Sequence, residues 1–68
     1  MILTNELKVK MFSKGYSQAN VAKKLNITPK TMYMKMKKGV FNSNEIAIMI
    51  EMLDIEDPLE IFFAKKVS

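Results

Sequence analysis

The apolar residues fall into short groups at helical spacing, each bounded by residues that start or stop a helix. Leu3, Leu7 and Met11 recur every fourth position and form the inward stripe of a first helix. The helix is read as starting at Thr4, whose hydroxyl can cap it, with Glu6 well placed against the helix dipole and Gly15 as its stop. Ser17 caps a second, short helix over residues 18–25, with Val21, Ala22 and Leu25 inward. Ala22 has a side chain small enough to let another helix approach closely. Asn26 then suits a left-handed turn, and a connection of about three residues leads by a sharp corner into the next helix.

The stretch "NITPKTMYMKMKKG" admits two periods. As a strand, Met32, Met34 and Met36 share one side, opposite Tyr33, Lys35 and Lys37. As a helix, Thr28 is the N-cap, Pro29 the first helical residue and Gly39 the stop. At about 100° per residue, Met32 and Met36 turn inward while Lys30, Met34, Lys37 and Lys38 cluster on the other side. The helix is preferred because the strand gives Pro29 and Gly39 no purpose and has no partner.

Beyond Gly39, "VFNSNEI" reads as a loop. Ser43 is taken as the cap of a fourth helix over residues 44–53, with Phe41 packing back onto it. Ile46, Ala47, Ile48, Met49, Ile50, Met52 and Leu53 cover nearly its whole circumference, as expected of a helix central to a core or covered by a partner. Asp57, Pro58 and Glu60 open a fifth helix as cap, first residue and capping-box partner, and Leu59, Ile61, Phe62 and Phe63 form a dense apolar group. The closing "AKKVS" reads as a frayed or short extended tail. The fold class predicted is all-α, five short helices in one small domain over residues 1–68.

Charge changes this picture. Residues 1–40 carry nine lysines against Glu6 alone, a balance of +8. Residues 41–68 carry two lysines against six acids, a balance of −4. So polarised a chain is suited to meeting a polyanion with its basic half. All its basic residues are lysine. With no cysteine and no histidine, disulfides, thiolate or imidazole metal sites and His-based acid–base chemistry are excluded, and no nucleophile is paired with an evident base. No enzyme, cofactor or small-molecule ligand is therefore expected. No apolar run of the roughly 20 residues that cross a bilayer is present and no signal peptide opens the chain, so a cytoplasmic location is expected.

Two consecutive helices joined by a tight corner, the second with a basic outer face, make the helix-turn-helix arrangement, here at about residues 18–38. Gln18, Ala22, Leu25, Ile27, Thr28 and Met32 fit its spacing, and on them the chain resembles the Cro/C1-type (XRE-like) helix-turn-helix family. The later "F-x-S-x-E-I" and "D-P-x-E-I-F-F" are similar to the small Cro-like regulators of Gram-positive temperate phages, which implies a bacterial host cell. Two positions depart from the family pattern. Asn26 replaces the usual turn glycine, and Lys35 stands where an apolar residue is common.

The resemblance implies that the third helix enters the major groove of double-stranded DNA and that the second lies across the backbone. Thr28, Pro29, Lys30, Tyr33, Met34 and Lys37 then occupy or neighbour base-facing positions. Lys30 or Lys37 would donate to guanine, and Met34 or Pro29 would touch a thymine methyl. Gln18, Lys14, Lys23, Lys24 and Lys38 are read as phosphate contacts. Tyr33 could donate to phosphate or pack against a sugar; it has a second reading, packed under the helix, and Met34 another, as an exposed helix former. Met32 and Met36 are core.

A palindromic operator implies a homodimer, for which Met52, Leu59, Ile61, Phe62 and Phe63, within residues 44–64, are the candidate surface. The leading function is a repressor acting by promoter occupancy. The competing one is an antirepressor or modulator that binds another protein, such as a phage repressor, through its C-terminal surface.

Overall fold

The computed structural model describes residues 2–62. Among them are α1 (Thr4–Ser13), α2 (Gln18–Lys24), α3 (Pro29–Lys38), α4 (Ser43–Met52) and α5 (Pro58–Phe62), with no strand. The extended tail and Phe63 considered above lie outside the described residues.

The ends of α2 and α3 follow from side chains close in sequence. Ser17 Oγ accepts from the Asn20 amide at 3.1 Å, and Asn20 Oδ1 accepts from the Ser17 amide at 3.3 Å, a reciprocal capping box. Asn26 takes φ +59°, the left-handed turn expected of it, and the Ile27 amide then donates to the Ala22 carbonyl at 3.0 Å. Thr28 Oγ1 accepts from the Thr31 amide at 3.1 Å, Pro29 is the first helical residue, and Gly39 closes α3 at φ +70°. In α3, Met32 and Met36 are buried while Met34 is 42% exposed, so the helical period holds.

Two helix caps differ from the sequence reading, although α1 begins at Thr4 as expected. Thr4 is not the cap of α1. Leu3 precedes the helix without a side-chain cap bond, and its amide donates instead to the Ile61 carbonyl in α5 at 2.8 Å. A backbone partner from the far end of the chain fixes that entry, with Ile2 buried beside it. The cap of α4 is Asn42 rather than Ser43, because Glu45 stands three residues beyond Asn42. Asn42 Oδ1 accepts from the Glu45 amide at 2.7 Å, and Glu45 Oε1 accepts from the Asn42 amide at 2.9 Å. Capping from Ser43 would have put Ile46 in the reciprocal position.

Leu7 and Met11 of α1, Val21 and Ala22 of α2, and Met32 and Met36 of α3 meet in one core that Phe41, Met49, Leu53, Ile55 and Phe62 complete. The α2–α3 pair packs most extensively, and Ala22, fully buried, gives the close approach its size suggests. Helix α4 does not run through the centre. Met49 is its one fully buried apolar residue; Ile46, Ile48, Ile50 and Met52 are half-buried, and Ala47 is exposed.

Phe62 is the one described residue of the candidate partner surface that the structure takes away from it. It is 3% exposed and belongs to the chain's own core, because the pairing of Leu3 with α5 turns that side of the helix inward.

Candidate nucleic-acid interface

The corner between α2 and α3 fixes how α3 is presented. With Met32 and Met36 held in the core, the helical period turns Lys30, Met34, Lys37 and Lys38 outward, with Tyr33 on one shoulder and Thr31 on the other. Thr28, Pro29, Lys30, Lys37 and Lys38 are exposed. Tyr33 is 60% exposed, so it is not packed beneath the helix. All six residues read as base-facing therefore lie on accessible surface.

The residues read as phosphate contacts are more dispersed. Gln18 begins α2 and is half-buried, and Lys23 and Lys24 are exposed at the end of that helix. Lys14 follows α1 with its ammonium 3.8 Å from the Asp54 carboxylate, so it is drawn towards the acidic half of the chain.

Gln18 meets α3 in a hollow of about 240 Å³, lined by Thr4, Lys8, Gln18, Tyr33, Met36 and Lys37. Lys8 was not singled out by the sequence, although its spacing held a signal. On α1 it sits one position after the buried Leu7, on the flank rather than the far side of the helix.

Lys35, the departure from the family pattern, has a structural role. Its ammonium donates to Glu45 Oε1 at 2.8 Å, joining the last turn of α3 to the first turn of α4. The Glu45 side chain is only 6% exposed. Burial by itself would push its carboxyl up, but the hydrogen bond from Lys35, the one from the Asn42 amide and the lysine charge outweigh it and hold the group below its ordinary 4.5. Lys35 is thus committed to the protein and separate from the cations on the outer face.

The family model described as bacterial regulatory protein, Fis family, a helix-turn-helix model, matches residues 10–39, from within α1 through the turn that ends α3. The chain carries a DNA-binding helix-turn-helix. The matched segment is just under half of the chain and supports a DNA-binding regulator in general, without singling out the Cro/C1 type. No curated protein and no solved structure matches.

Within this helix-turn-helix, α2 is the helix before the corner and α3 the one after it. Of the surface proposed for a second subunit, Leu59 is 67% exposed and Met52 and Ile61 are half-buried. More apolar surface lies where the sequence reading placed none. Val9 and Phe12, on the outer side of α1, are 65% and 69% exposed. Among the described residues no helix is long and apolar enough to cross a membrane.

Proposed function

We propose that this protein is a sequence-specific transcriptional regulator, a small repressor of the Cro type that blocks a promoter by occupying its operator. The observation that carries the reading is the outer face of α3. Lys30 and Lys37 are held outward by the burial of Met32 and Met36, on a helix that follows a tight corner.

In the groove, a lysine ammonium can donate to guanine O6 and N7, and the Met34 thioether offers only apolar contact, suited to a thymine methyl. Thr28 and Pro29, at the start of the helix, are proposed to approach the base edges, and Lys23, Lys24 and Lys38 the phosphates on either side. One domain of this size covers little DNA, so a homodimer on a palindromic operator is part of the proposal, with Leu59, Met52 and Ile61 as its surface.

Selection from a random duplex pool at near-physiological salt tests this reading. The expected result is an enriched palindrome whose half-site spacing reports the dimer geometry. Weak, steeply salt-dependent binding with no enriched sequence would overturn it.

One observation favours a second reading. The recognition helix carries no arginine, asparagine or glutamine, and an exposed methionine stands at its centre, so direct base readout is limited. An antirepressor that binds another protein would need none. Replacing Lys30 and Lys37 together should abolish regulation if the protein acts as a repressor and leave it largely intact if it acts as an antirepressor.

A further inference from the structure

The hollow between α1, α2 and α3 is chemically one-sided. It is lined by two lysines, Lys8 and Lys37, by Tyr33, Gln18 and Thr4, which each carry a group able to donate, and by Met36. Among the described residues no carboxylate lines it. Glu6, the one acid of α1, lies about 160° around the helix from Lys8 at ideal helical spacing. By contrast, a second hollow of similar size, about 230 Å³, is lined by Lys10 together with Glu56, Asp57 and Glu60. The first hollow therefore offers two lysines and three further residues able to donate, which suits an oxyanion and suits a base edge less well.

Its place on α3 adds a second argument. At helical spacing Tyr33 falls on the shoulder that faces α1 and the start of α2, whereas Lys30 and Met34 fall on the crest. Lys37 lies between the two and lines the hollow.

The geometry points to this hollow as the seat of one backbone phosphate of the DNA duplex, held by Lys8, Gln18, Tyr33 and Lys37. The inference rests on the DNA-binding reading and sharpens it. Lys8 enters the interface, Tyr33 and Lys37 fix the register of the recognition helix, and sequence discrimination falls on Lys30 and Met34.

The test uses the full chain and the duplex it selects. Affinity is measured across salt concentrations for the wild type and for Lys8→Ala, Lys37→Ala, Tyr33→Phe and Lys30→Ala, and selection is repeated with each variant. Lys8 and Lys37 are exposed, and circular dichroism checks that the helices are retained. Lys8→Ala and Lys37→Ala should each lower the slope of log K against log salt by about one and leave the selected sequence unchanged. Tyr33→Phe should weaken binding several-fold, again without changing the sequence. Lys30→Ala should relax the preference at one base pair.

A backbone scan with single neutral methylphosphonates then locates the phosphate. At one position the substitution should weaken the wild type about tenfold and cost Lys8→Ala little further. Unchanged affinity and slope in Lys8→Ala would overturn the seat, as would relaxed base preference in Lys37→Ala with the salt slope intact. If the wild type binds DNA but selects no sequence, the regulator reading fails while the slopes still decide the seat. If it binds no DNA, both fail.

Discussion

Lys35 and Glu45 show what one pair contributes to a domain with so small a core. The Glu45 carboxylate is nearly out of water and accepts from both the lysine and the Asn42 amide. Lys35→Ala would leave it buried with one donor, a loss of about 2 kcal/mol, which in a domain of this size lowers Tm by roughly 10 °C. Thermal denaturation at neutral pH checks this. The carboxyl is held below its ordinary 4.5, so its contribution to stability is complete above that value and is lost as pH falls through the folded-state value. Glu45→Gln should therefore flatten the fall in stability below about pH 4.5, measured by urea unfolding across acidic pH. The sequence marked Lys35 as a charge where an apolar residue is common. It could not identify the partner, because Glu45 lies ten residues on, beyond a loop whose path is set by tertiary packing.

The helices depend on their ends, and these were legible wherever both partners are close in sequence. Ser17, Thr28, Pro29, Asn26 and Gly39 act as their residue types suggest. The start of α4 was misread by one residue, since Asn42 and Ser43 can both cap and only the spacing to Glu45 decides. For α1 the first residue, Thr4, was legible but the group that fixes its entry was not, since the partner of the Leu3 amide is the Ile61 carbonyl. Thr28→Ala should cost about 1 kcal/mol by loss of the cap on α3. Gly39→Ala should cost a similar amount, roughly 1–2 kcal/mol, through its left-handed backbone. A Cβ at Gly39 would meet the Ile2 carbonyl at an ordinary 3.5 Å, so backbone strain and not collision sets that cost. Asn26→Gly should be neutral or slightly stabilising. Denaturant midpoints for the three variants would show this ordering, and a Gly39→Ala as stable as the wild type would contradict it.

For the whole molecule, the basic and acidic halves touch through few charges. Among the described residues the ion pairs are Lys14–Asp54 and Lys35–Glu45, so the cations of α2 and the crest of α3 are left for an outside partner. Which apolar residues near the C-terminal end face outward could not be read from the sequence. Leu59 and Phe62 are three apart on a short helix, and only the seat of α5 against α1 turns the second inward. If Leu59 lies between two subunits, Leu59→Asp should shift sedimentation equilibrium towards monomer and weaken operator binding while leaving the helices intact.

The bond from the Leu3 amide to the Ile61 carbonyl joins nearly opposite ends of the described chain, whereas α2 and α3 are neighbours across four residues. The two contacts therefore belong to different moments in the life of the fold. The corner can form early from local sequence, and the closing bond waits until the rest of the chain has found its place. In native-state hydrogen exchange the Leu3 amide should lose its proton sooner than those of Met32 and Met36, as one end lifts away while the corner persists.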